Sequence, residues 1–239
     1  MTGRAVAAVL ALLALTAGCS AILGGATTFT AAEVSVSDAA TSETGYSLEG
    51  ERNQTLSRSF AGQDVEVTNR LAEYARSSDV PLFGDTRIAR FTVYATPAVE
   101  VAGQGPFNPV ADLNNTELVL RLQEQYDTID NVRFESNRTE TMLGEGTRVS
   151  KFRAEARTVG GQNTDVFLHV TKTRHGSDYV VAVAVYPTQV DGEQARVDAL
   201  LNGVQHAGSG GGADSDGGSG DTSGGAGETA TATPTDDGL

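Results

Sequence analysis

The chain has 239 residues, 31 acidic side chains against 17 basic ones, a formal charge of −14 and a single cysteine. This balance argues against nucleic acid or an anionic lipid surface as a partner, since each needs a basic patch, and one cysteine excludes an internal disulfide. With only Lys151 and Lys172 as lysines and no Trp, the composition reads as adaptation to very high salt, where carboxylates keep a hydrated surface and self-repulsion is screened; an acidic secreted protein from a GC-rich genome is the alternative.

Residues 1–18 read as a signal peptide: Arg4 is the only charge, Ala5 to Leu15 is an unbroken apolar run, and Thr16-Ala17-Gly18 are small. The run is too short for a membrane span, which needs about 20 apolar residues. Cys19 follows at once, and Leu15-Thr16-Ala17-Gly18-Cys19 resembles a lipobox, although Thr16 stands where leucine is usual. Cys19 is therefore expected to be the lipid attachment point, with an ordinary secretory signal and an incidental cysteine as the alternative. Residues 19–33 then form the anchor and an Ala/Gly/Thr-rich spacer.

Residues 34–207 are long enough for one domain with its own core. Strand-like runs cover Tyr46 to Phe60 and Val65 to Arg76, joined by a turn-prone Ala61-Gly62-Gln63-Asp64, and then Ile88 to Ala95. A Gly/Pro-rich loop follows, with Phe107 in it. Val119, Leu122, Tyr126 and Ile129 recur at helical spacing after Asn114 and Glu117, a capping pattern. Four more strands are predicted: Val132 to Met142, Arg148 to Thr158, Asp165 to Thr173 and Tyr179 to Tyr186. In the second of these, Phe152, Ala154 and Ala156 alternate with Lys151, Arg153, Glu155 and Arg157, which marks an antiparallel sheet wet on one face. The last strand is apolar on both faces and so central. Val197, Leu200, Leu201 and Val204 give a closing helical stripe. The expected fold is α+β: one curved antiparallel sheet of about six to seven strands with two packed helices. Residues 208–239, with six acids and no base, form a Gly/Ser/Thr/Asp tail that lacks the apolar side chains to offset its ordering entropy, so disorder is expected there.

No catalytic or metal site and no cofactor is expected. The three histidines fall on a strand (His169), in a hairpin turn (His175) and at a helix end (His206), without the converging ligands a metal needs. Carboxylates abound, but no Trp is present to hold a sugar between a pair of them. Hydrolase, phosphate-loop and calcium spacings are missing. Asn53, Asn114 and Asn137 each begin an Asn-x-Ser/Thr sequon, a glycan acceptor in an exported protein; Asn114 has helix capping as a competing role. Phe107, at the tip of the Gly103 to Pro109 loop, is a candidate contact or else a plug in the core.

Ser37-Asp38-Ala39-Ala40, Thr68-Asn69-Arg70-Leu71-Ala72-Glu73-Tyr74, Tyr94-Ala95-Thr96-Pro97, Phe107-Asn108-Pro109, Val185-Tyr186-Pro187 and Leu200-Leu201-Asn202-Gly203-Val204 resemble the signatures of an uncharacterised haloarchaeal lipoprotein family, a domain of unknown function. The resemblance implies an envelope setting and no activity. The order of hairpin, helix, four strands and helix is also similar to Mog1/PsbP-type domains, which mostly act as accessory modules. The sequence thus points to an extracytoplasmic protein, held to the outer face of the cell membrane by its lipid, that binds an envelope protein or ligand without catalysis. A lipid- or solute-binding protein and a hydrolase of unfamiliar site are the alternatives.

Overall fold

A computed structural model describes residues 27–60, 63–77, 87–99, 108–125, 129–157, 161 and 163–207. Residues 1–18, read above as a signal peptide, Cys19, Phe107 and the expected tail from residue 208 lie outside the described residues. In chain order the elements are β1 (Thr27–Thr30), β2 (Val34–Val36), α1 (Asp38–Thr44), β3 (Ser47–Phe60), β4 (Gln63–Ser77) and β5 (Arg87–Pro97). They continue with α2 (Asn115–Gln125), β6 (Ile129–Met142), β7 (Glu145–Arg157), β8 (Asn163–His175), β9 (Asp178–Pro187), α3 (Glu193–Asn202) and β10 (Val204–His206).

The expected fold class is corrected. The main sheet has eight strands, a second sheet has two, and strand dominates over the three described helices. Nor is the main sheet purely antiparallel, because β1 runs parallel to β4, with Thr27 to Thr30 beside Val65 to Thr68. The geometry of β4 explains the extra strand. Its one edge is filled by β3 along Gln63 to Ala75, while β5 takes only Arg70 to Ser77 of the other. That leaves Gln63 to Asn69 open on that side, and β1 fills the four positions from Val65 to Thr68. From β4 the order runs through β5, β9, β8 and β7 to β6, each pair antiparallel. Among the described residues β3 pairs only with β4 and β6 only with β7, so each leaves one edge open, as does the short β1, which pairs only with β4.

Both faces of this sheet are covered. On the first, Phe91, Val93, Ala182, Ala184 and Tyr186 pack with Ala40 of α1, Val197, Leu200 and Leu201 of α3, and the valines of β2 and β10. On the second, Phe152, Ala154, Leu168, Val170 and Val181 pack with Leu118 and Val119 of α2. The alternation along β9 supplies both cores at once, as its two-sided apolar pattern requires. Phe91 is fully buried, and burial of a side chain of that size contributes about 1.5–3 kcal/mol. Among the described residues no helix is long and apolar enough to cross a membrane.

Helix α1 starts at Ser37, whose Oγ accepts the Ala40 N–H, and stops at Gly45, whose φ of 72° suits a residue without a Cβ. Helix α3 ends against it. A Cβ on Gly203 would lie 2.4 Å from that of Ala40 and 3.0 Å from Ser37 Oγ, and the Ser37 N–H donates to the Gly203 carbonyl at 2.9 Å. The two helices meet where only glycine fits.

Candidate functional site

The short β2–β10 ribbon runs between two grooves. Its register pairs Val36 with Val204, Ser35 with Gln205 and Val34 with His206. The period of two buries the valines and His206 and turns Ser35 and Gln205 outward. Two grooves flank the ribbon and share those two outward residues. The first, of about 410 Å³, is walled by Asp38, Thr41, Leu48, Glu51 and Tyr74. The second, of about 560 Å³, is walled by Glu33, Leu143, His175, His206 and Ala207. The first thus sets an exposed leucine with two carboxylates, and the second a half-buried leucine with one carboxylate and two histidines. Tyr74 fixes the ribbon from below, its Oη accepting the Val36 N–H at 2.8 Å; burial raises its pKa, so it stays a neutral phenol.

The floor of the second groove holds a chain of titratable groups. Asp178 is fully buried; its Oδ2 accepts the Ala32 N–H at 2.7 Å and lies 3.0 Å from His206 Nε2. His206 Nδ1 is 2.9 Å from His175 Nδ1. Two ring nitrogens at that distance share one proton. His206 Nε2–H donates to the carboxylate, and the tautomers of the two rings set which Nδ1 carries the shared proton. A buried carboxylate holding an imidazole is the orienting half of a hydrolytic triad. Here the imidazole contacts a second histidine rather than a hydroxyl or thiol.

Two further polar clusters hold the scaffold. Arg138 of β6, paired with Asp198 of α3, donates to His169 Nδ1 at 2.7 Å, and His169 Nε2 lies 2.9 Å from Tyr186 Oη. Since arginine can only donate, His169 carries its proton on Nε2. Burial, then the Arg138 and Lys151 charges, push its pKa down to about 3. Glu193, buried at the start of α3, accepts from Tyr46 Oη at 2.7 Å and from Arg76 and Arg196. Burial, then Glu193 itself, raises the Tyr46 pKa strongly. A buried carboxylate with three donors is satisfied rather than reactive.

The predicted site residues separate in space. Asn114 does cap α2: its Oδ1 accepts the N–H of Thr116 at 2.9 Å and of Glu117 at 3.0 Å, and Glu117 Oε2 accepts the Asn114 N–H at 2.7 Å. Asn137 lies on β6 and its Oδ1 accepts from Ser150 Oγ at 2.7 Å. Asn53 sits exposed in the middle of β3, opposite Arg70. His206 belongs to β10, not to a helix end, because Gly203 terminates α3 before it. The His175–His206–Asp178 chain was missed for that reason. His175 and Asp178 bracket a turn and pair across it, which β-hairpin spacing foreshadows, but nothing local ties His206 to them. Among the described residues, no group of three or more His, Cys, Asp or Glu is placed to hold a metal.

A family model described as a domain of unknown function, DUF6517, matches residues 33–205. No curated protein matches the chain.

Proposed function

Starting from the fact that the chain belongs to the DUF6517 family, we propose that it is a lipid-anchored, extracytoplasmic envelope protein whose folded body binds a partner and catalyses no reaction. The lipid on Cys19, the haloarchaeal setting and the acidic, lysine-poor surface come from the sequence. The likeness to Mog1/PsbP-type accessory domains, in element order alone, agrees with a binding role.

The observation that carries the binding reading is the pair of grooves meeting at Ser35 and Gln205. Leu48, 51% exposed, stands at the first groove beside Glu51 and Asp38; apolar side chains within a polar rim are the composition of a docking surface. The acidic rim favours a partner that presents basic or hydroxyl groups around an apolar contact. The ribbon is also the natural place for such a surface, since it lies between the segment that leads back to the anchor and the segment that leads to the tail.

The test is site-specific crosslinking in intact cells. A photoreactive residue at Gln205 is expected to give a discrete adduct, and the same residue at Leu120, exposed on α2 of the opposite face, is expected to give none. The reverse pattern would move the docking face to α2, and adducts at neither position would count against a binding module. A hydrolase remains the second reading, favoured by the Asp178–His206–His175 chain. Replacing Asp178 by Asn would leave the Gln205 adduct intact under the binding reading.

A further inference from the structure

Among the described residues two long strands of the main sheet, β3 and β6, pair on one side only, and they are guarded differently. β6 carries Asp130, Arg133, Glu135, Arg138 and Glu140, and its ladder with β7 is broken by irregularities between Asp130 and Arg133 and between Phe134 and Ser136. Charges and bulges of this kind stop an edge from pairing with another chain. β3 has one irregularity, near its start at Leu48 and Gly50, and its ladder with β4 is then regular as far as Phe60. Among the described residues it pairs only with β4, and Asn53 to Ser57 is exposed. That stretch reads Asn-Gln-Thr-Leu-Ser, with no charge and no proline, and Leu56 is 41% exposed. The charges of β3 (Glu49, Glu51, Arg52 and Arg58) flank this stretch and leave its five residues uncharged, and an uncharged, regular, exposed stretch of edge is a template for strand addition and aggregation.

The one sequon on β3 falls in this stretch. Asn53 is exposed, and its amide makes no hydrogen bond among the described residues, whereas Asn114 is engaged as a cap and Asn137 accepts from Ser150. We propose that Asn53 is an N-glycosylation site and that its glycan is the guard of the β3 edge. This rests on the export reading above. In the transfer, the anomeric carbon of a lipid-linked oligosaccharide leaves its phosphate oxygen and bonds to Asn53 Nδ2. The departing phosphate keeps the electron pair, and one Nδ2 proton passes to a base of the transferase, with no change of oxidation state. A branched, hydrated group fixed to the strand then denies another backbone the roughly 4.8 Å approach that ladder formation needs.

The experiment takes the full chain from a host that N-glycosylates its envelope proteins. Mass spectrometry maps the N-terminus and the three sequon peptides, and sedimentation velocity follows wild type, Asn53→Gln, Thr55→Ala and Thr55→Ser. An oligosaccharide mass is expected on the Asn53 peptide of wild type and Thr55→Ser, lost in the other two variants. Those two are expected to shift to dimer or larger at a concentration where wild type stays monomeric, and Asn114→Gln and Asn137→Gln are not. A processed chain with a bare Asn53, or an Asn53→Gln variant as monomeric as wild type, overturns the proposal alone. A chain that still carries residues 1–18 overturns the export reading and the proposal together.

Discussion

Lys172 donates from one ammonium to the carbonyls of Val110, Ala111 and Leu113, at 2.7, 2.8 and 2.7 Å. It thereby ties the loop before α2 to β8; burial lowers its pKa, and Asp112 and Glu117 oppose that shift. Three converging acceptors suit a tetrahedral donor and not a planar guanidinium. Lys151, the other lysine, lies 3.8 Å over the Phe167 ring. The chain has thus kept lysine at two positions with defined partners. His169 shows a different constraint. Arg138 donates to its Nδ1, so a second ring proton has nowhere to go, and the folded pKa of about 3 lies below the ordinary 6.5. The unfolded chain therefore binds the proton first. Stability from this residue is complete above pH 6.5 and falls on acidification toward pH 3, by up to about 1.4 kcal/mol per pH unit. Denaturant unfolding between pH 4.5 and 7.5 is expected to show a shallower pH slope in His169→Gln than in wild type. Equal slopes would mean that His169 already titrates freely.

At the scale of elements, the long strands and the last two helices were readable because their periodicity runs over many residues. Asn114 with Glu117 marked the start of α2, and the hydrogen bonds there are those of a capping box. The two-sided apolar run of β9 correctly implied a central strand. The elements that overturned the fold class are short: β1 has four residues, and β2 and β10 have three each. Three residues carry no period, and Thr27 to Thr30 lies in a Thr-rich spacer that becomes a strand only because β5 leaves part of β4 open. The candidate site was illegible for the same reason, since the ribbon that builds both grooves consists of β2 and β10. Gly203 in the Leu200-Leu201-Asn202-Gly203-Val204 signature was visible, but its reason was not. The 2.4 Å approach to the Ala40 Cβ predicts that Gly203→Ala forces α1 and α3 apart. The expected loss is roughly 1–3 kcal/mol of stability, as for other overpacked contacts, read as a lowered denaturation midpoint. An unchanged midpoint would show that the helices separate at no cost.

For the whole molecule, a three-layer body with both sheet faces covered leaves its edges and the ribbon surface as the places where another molecule can be met. In the proposed high-salt envelope setting an acidic surface would keep such a body hydrated, and a lipid on Cys19 would leave the ribbon free to reach a neighbour. One residue outside the described body decides whether this arrangement exists. The most direct measurement is the intact mass of the N-terminal peptide from membrane-extracted protein. The account predicts that residues 1–18 are absent and that the first residue is Cys19 carrying a lipid mass, and that Cys19→Ser moves the protein from the membrane to the soluble fraction. An N-terminus that retains residues 1–18, or a processed chain whose Cys19 is unmodified, would contradict it.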